Sequence, residues 1–315
     1  MDDKVTSKHE PNHPPVQEYA VFDRDRVACM RVRACSGFAK HNFLFEWAGG
    51  ELFDRLAYIK RTYPRAVVLG ARSPLPHAGQ WKETIGDLFV MDLLPSLRRY
   101  CPDAAYLAGD EEFFPFASNS LDLVLSCLGL HMVNDLPGAL VQIRRSLKPD
   151  GLFSGAMFGG ETLHELRACL MEAESEVRDG ISPRVAPFAD KQQAGALLQR
   201  AGYALPVVDS EILTVTYDSA FRLMDDLRGM GEGNAILVRD RVWPGKAFFA
   251  RAAEIYQNRY AEPDGRIRAS FEILFLSGWS PHESQQKPLR PGSAETSLAE
   301  ALSTTEIKTG EKAKP

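Results

Sequence analysis

Arg65-Ala-Val-Val-Leu-Gly-Ala-Arg-Ser-Pro-Leu-Pro76 is the stretch that decides the fold. Val67, Val68 and Leu69 make a short apolar run with β character, and Gly70 follows at the turn. A strand that ends on glycine is the opening unit of a doubly wound α/β sheet, in which a nucleotide approaches the backbone at the strand's carboxyl end. The loop beyond Gly70 is poor in glycine. Arg72 puts a long cation where backbone would have to come close to a ligand, and Pro74 brings neither an amide donor nor access to positive φ. Pro76 and Gly79 weaken the helix expected next.

Working outward, strand and helix signals alternate. Ala66 to Leu69, Asp87 to Met91, Ala104 to Leu107, Leu121 to Cys127 and Gly151 to Met157 read as five strands, a rhythm that predicts a parallel sheet. Leu136, Leu140, Ile143 and Leu147 share one helical face before the turn Lys148-Pro-Asp-Gly151. Glu161 to Val177 and Lys191 to Ala201 read as helices, the second closed by Gly202, and Pro206 to Tyr217 alternates like a strand. Ser219 to Leu227 and Ala247 to Tyr260 read as cap helices on either side of the glycine-rich GMGEGN segment, with Ser270 to Leu276 as a last strand.

On the other side of the opening strand, Leu52, Phe53, Leu56, Ile59 and Tyr63 recur at helical steps, and Pro64 is expected to end that helix. Residues 1 to about 17 read as a loose arm, and Val21 to about Ala48 as one polar-to-amphipathic helix. The expected organisation is an N-terminal arm and helix over 1–48, an α/β domain over 49–280 with helical cap segments at about 159–188 and 218–262, and a polar, disordered tail over 281–315.

Composition bounds the function. The 315 residues are 44% hydrophobic and 25% charged, an ordinary globular balance. A net charge of −5 argues against general affinity for nucleic acid. The N-terminus carries no apolar signal core and no run approaches the roughly 20 apolar residues of a membrane span, so the cytoplasm is the expected compartment and any membrane contact is peripheral. Cys29, Cys35, Cys101, Cys127 and Cys169 are scattered without a CxxC pair, which points to reduced thiols and to no metal site.

The candidate site lies just past the strand ends. Asp92 stands about twenty residues beyond Gly70, where a carboxylate either takes both ribose hydroxyls of a nucleoside or caps the helix that follows. Asp110 and Glu111 precede Phe113, Phe114, Pro115 and Phe116; this segment either holds an adenine ring and its amino group or is a solvated turn feeding the core. Ser126 lies at the end of the fourth strand and His131 just beyond it. His131 is the general-base candidate, with Asp135 as its possible orienter, against a purely structural use of the histidine.

With these residues in order, the chain resembles class I S-adenosylmethionine-dependent methyltransferases of the kind that includes the biotin-pathway malonyl-carrier-protein enzyme. The strings GDEEFFPF, LDLVLSCLGLHMVNDLPGAL, QIRRSLKPDGLFSGAMFGGETLHELR, LMDDLRGMGEGNA and GWSPHESQQKPLRPGSA look like the respiratory complex I assembly factor family of that fold and its bacterial relatives, over roughly Phe22 to Ala294. The resemblance implies a seven-stranded Rossmann-like methyltransferase sheet and S-adenosylmethionine as cofactor, with Gly70, Asp92, Asp110, Glu111 and Ser126 around it.

It further implies action on a protein side chain of a complex I subunit, the family being described as hydroxylating an arginine. Carboxyl methylation of a small or carrier-bound substrate and a non-catalytic assembly scaffold are the alternatives. Where the family pattern reads acidic residue then G-x-G-x-G, this chain has Val68, Gly70, Arg72 and Pro74. Either Arg72 turns outward or recruits a different anionic group and the pocket works in altered form, or the protein is a scaffold. Glu172, Glu174 and Glu176 on the cap helix, beside Arg167, are expected over the pocket mouth as receivers of a guanidinium, or else form a solvated face. The tail with Lys287 and Arg290 between prolines is either an extended binding segment or a surface loop.

Overall fold

The computed structural model describes residues 20–72, 83–101, 104–178, 180–286, 293 and 296–305. Pro74, Pro76 and Gly79 of the altered loop, and Lys287 and Arg290 of the tail, lie outside the described residues. The chain divides at Pro281 and His282 into a large and a small compact unit. In the small unit the described secondary structure is α8 (Leu298–Ala301), whose first turn is capped by the Ser297 side chain.

The large unit is built on seven strands: β1 (Tyr63–Leu69), β2 (Ile85–Asp92), β3 (Ala105–Ala108), β4 (Leu121–Cys127), β5 (Leu147–Phe158), β6 (Ala204–Tyr217) and β7 (Ile267–Trp279). Their order across the sheet is β3-β2-β1-β4-β5-β7-β6. The first five run parallel, and β7 pairs antiparallel with both β5 and β6. The period of two in β1 shows why the stretch is buried throughout. Ala66 and Val68 face one apolar layer and Val67 and Leu69 the other.

The first layer contains α2 (Phe43–Ala57), α4 (His164–Val177), α6 (Ala220–Met230) and α7 (Lys246–Tyr260). Across the sheet, α3 (Leu136–Ser146) and α5 (Lys191–Arg200) bury Leu140, Ile143, Ala194 and Leu198. Helix α5 opens with a reciprocal capping box between Asp190 and Gln193.

Three local readings are corrected. The expected single helix from Val21 to Ala48 is two helices, α1 (Arg24–Ala34) and α2, separated by Gly37 and a 3-10 turn over Phe38–Lys40. Asp23, extended and accepting the Arg26 amide, fixes the start of α1, and the break lets α1 pack on α6. The expected boundary at residues 48 and 49 falls inside α2. Pro64 does not end the preceding helix either: α2 stops at Ala57 and Pro64 is the second residue of β1. Gly86 lies beside it on β2, and a Cβ there would meet the Pro64 carbonyl oxygen at 2.7 Å. Only glycine lets the two strands close at that point.

The topology gathers the loops that follow β1, β2, β3 and β4 at one edge. Gly70, at φ +95°, donates to the Met91 carbonyl at 2.8 Å, and Gly109 donates to the Asp92 carbonyl at 3.0 Å. After β4 the chain turns through Leu128, whose φ of +48° costs a non-glycine residue on the order of 1 kcal/mol. That turn delivers His131 in a short 3-10 segment.

Candidate functional site

All six residues singled out in the sequence lie at this edge, and the three carboxylates among them, Asp92, Asp110 and Glu111, face arginines of α1. Arg24 Nη2 donates to Asp110 Oδ1 and to Glu111 Oε2, each at 2.6 Å, while its Nη1 donates to the Met132 carbonyl at 3.0 Å. Arg31 Nη1 donates to Glu111 Oε1 at 3.2 Å and stands 3.8 Å from Asp92 Oδ1. These arginines are seven residues apart, two turns of α1, so both point inward from one face. Asp92 also ties the loop down, its Oδ2 accepting the Ala71 amide at 2.9 Å. Asp92 and Glu111 are fully buried. Asn134 anchors the start of α1 by accepting the amides of Val21 and Phe22.

Arg72 turns inward, settling how the altered loop accommodates it. Its Nη1 donates to the Met230 carbonyl at 2.6 Å and to Glu232 Oε1 at 3.2 Å, and its guanidinium lies 4.8 Å from the Phe45 ring centroid. The other Glu232 oxygen, Oε2, lies 2.9 Å from His131 Nε2. The His131 ring packs against Phe158 and Phe188, and its Nδ1 is buried without a partner. Glu232 therefore takes the place expected of Asp135, which instead caps α3 by accepting the Gly138 amide.

Glu232 is delivered by the end of α6. Gly231 takes φ +78° there, and a side chain on it would come within 3.3 Å of Arg72 Nη1. GMGEGN signalled a helix stop in the sequence; nothing local marked its glutamate as the partner of residues 72 and 131.

The remaining residues singled out in the sequence find these surroundings. Glu172, Glu174 and Glu176 are not free to receive a substrate guanidinium. They pair with Arg259, Arg184 and Arg251 respectively, and the Glu174 pair is bidentate, at 2.6 and 3.0 Å. Arg167 bonds to the carbonyl of Thr162. Phe114 and Phe116 pack on each other at 4.9 Å and with Phe89 in the layer of α3 and α5, the core use of that segment, while Phe113 is exposed. Ser126 Oγ is buried and has no hydrogen-bond partner.

Beside Glu232 opens a cavity of about 760 Å³. Met30, Met132, Phe158, Leu166, Phe188 and Phe271 supply much of its apolar wall, and α1, α4 and α6 frame it. Burial alone would raise the Glu232 carboxyl, yet His131, Arg72 and Arg31 outweigh it and hold the group at about 2. Glu111 is likewise held at about 2 against burial by Arg31 and Arg24. Both sit below the ordinary 4.5, so the stability they contribute is present above about pH 4.5 and is lost as pH falls through about 2. By linkage each contributes on the order of 3 kcal/mol. Urea midpoints are thus expected to fall steeply between about pH 5 and pH 3, and less steeply in Glu111→Gln; equal midpoints at the two pH values would contradict the ion-pair assignment.

The walls offer S-adenosylmethionine part of their acceptor capacity, the rest being taken by α1. A ribose would use the carboxylate oxygens of Asp92 and an adenine amine those of Asp110 or Glu111; Arg24 and Arg31 each take one Glu111 oxygen, Arg24 also takes Asp110 Oδ1, and Arg31 stands 3.8 Å from Asp92 Oδ1. The buried Ser126 Oγ has no hydrogen-bond partner among the described residues and is open to a ligand hydrogen bond.

The Methyltransferase domain family matches residues 77–154, beginning beyond the altered loop and running into β5. Arginine-hydroxylase NDUFAF5, mitochondrial, of Mus musculus is 42% identical over 283 residues, covering 87% of this chain and 80% of that protein. The Homo sapiens protein of the same name is 43% identical over 271 residues, covering 83% and 76%. Malonyl-[acyl-carrier protein] O-methyltransferase of Halorhodospira halophila is 33% identical over 237 residues, covering 72% and 78%. Among solved structures, a protein of Bacillus halodurans described as a methyltransferase superimposes with a TM-score of 0.52 at 16% identity, covering 74% of this chain and 99% of that one, a likeness of fold alone.

Proposed function

The chain belongs to the methyltransferase-fold family of the NDUFAF5 arginine hydroxylases, and on that membership we propose that it hydroxylates an arginine side chain of a respiratory complex I subunit during assembly of the complex, with an external two-electron oxidant supplying the oxygen atom. The observation that carries the reading is the cavity with Glu232 in its wall, a carboxylate held ionised by His131, Arg72 and Arg31 beside apolar side chains. An arginine side chain is an apolar stem ending in a planar cation, which such a cavity matches. Each Glu232 oxygen already has one partner, and its second lone pair is available to a substrate N–H. In this reading His131 and Arg72 are positioning residues that keep Glu232 charged and aimed.

The methyltransferase fold supports S-adenosylmethionine as a ligand to test, with Gly70, Asp92, Asp110, Glu111 and Ser126 as its walls. No step of the proposal runs through it. The reduced cysteines support a cytoplasmic setting with peripheral contact to the membrane where the complex forms. Identity favours hydroxylation over carboxyl methylation, at 42–43% against 33%. Deleting the gene is expected to reduce the assembled, active complex I band on native gels, with restoration by the wild-type chain. Unchanged complex I in the deletion strain would overturn the proposal.

A further inference from the structure

The α1 helix carries a second arginine pair with the same spacing as the first. Arg26 and Arg33, like Arg24 and Arg31, are seven residues apart, but they line the large cavity instead of the carboxylate walls. From α6, Arg222 and Arg228 line it too. Arg228 is neutralised by Asp225 at 2.6 Å, whereas Arg26, Arg33 and Arg222 have no carboxylate partner among the described residues. Arg26 is half-buried, with its Nε enclosed and without a hydrogen-bond partner. The cavity is thus rimmed by three uncompensated cations in a chain whose net charge is −5. A rim of that sign is a poor match for a cationic peptide and a good one for an acidic peptide.

We infer that the cavity takes its target arginine from an acidic segment of the partner protein, with Arg26, Arg33 and Arg222 reading carboxylates that flank the arginine. The inference rests on the arginine reading above. Two helical turns separate Arg26 from Arg33 by about 10 Å, the length of about three residues of extended peptide, so the acids fall within about three positions of the arginine.

The test is fluorescence anisotropy on the full chain with four labelled peptides. These have a central arginine or lysine, each flanked within three positions by Asp and Glu or by the isosteric Asn and Gln. The acidic peptides are expected to bind about five- to ten-fold tighter at low salt, an advantage that 0.5 M salt largely removes. Arg26→Gln/Arg33→Gln/Arg222→Gln is expected to abolish the advantage, and Arg33→Glu to shift preference toward the neutral Asn- and Gln-flanked peptides. Equal binding of acidic and neutral peptides, an advantage untouched by the triple variant, competition by free malonate as strong as by peptide, or binding of anionic phosphatidylserine vesicles in place of peptide would each overturn the inference. Tight binding of acidic peptides whether the centre is arginine or lysine would keep the cationic rim and count against the arginine reading, so the two fail separately.

Discussion

Arg31→Met is expected to destabilise the protein by about 3–5 kcal/mol, because it strands a buried ion cluster without its central cation. The guanidinium is 2% exposed and stands between Glu111 and Asp92, both fully buried. Burial would lower its proton affinity, but Glu111 and Asp92 outweigh that and raise it, so the arginine stays charged at every relevant pH. Methionine fills a similar volume with no charge, leaving Asp92 its amide donors and Glu111 only Arg24. For a unit of this size the loss corresponds to about 6–15 °C in thermal midpoint. Adding Glu111→Gln to Arg31→Met is expected to recover a substantial part of it, since the two residues share one contact. A single variant melting within a degree of wild type would mean that α1 does not hold those carboxylates in solution.

Glu232→Gln is expected to lower arginine hydroxylation about 10²–10³-fold, the usual scale for removing one preorganised charge from an enclosed site. Glutamine preserves the shape but gives up the charge facing Arg72 and His131. Arg72 keeps the Met230 carbonyl and the Phe45 ring, so the fold survives with a midpoint lowered by a few degrees. Circular dichroism and a thermal melt verify folding, and peptide mass spectrometry reads the activity. Full activity in a folded Glu232→Gln protein would remove Glu232 from the site.

What was legible in the sequence was what periodicity and spacing encode. The buried run Ala66 to Leu69, the glycine turn at Gly70 and the acid at Asp92 determine the sheet and the edge at which the site forms. The partners were not legible, because their contacts span long separations. Arg24 and Arg31 read as members of a polar helix, although their carboxylates lie more than 60 residues away in sequence. Asp135 is four residues from His131 and was the natural orienter, yet the helix start at Leu136 claims it, and Glu232 comes from 101 residues away. The cap glutamates mislead for the same reason: their charge pattern shows a face, but not that Arg184, Arg251 and Arg259 cover it. Arg72 looked like damage to a cofactor loop. Its guanidinium is instead built into the floor between the sheet edge and α6, through bonds that only the tertiary fold supplies.

The central claim is that this chain oxidises an arginine from the cavity beside Glu232. The most direct measurement is high-resolution mass spectrometry of complex I subunits purified from cells carrying either the wild-type chain or Glu232→Gln. The account predicts a gain of one oxygen on one arginine in the wild-type cells, reduced to a trace in the variant. An unmodified arginine in wild-type cells, a methyl group in place of the oxygen, or the same oxygen gain in both cell lines would contradict it.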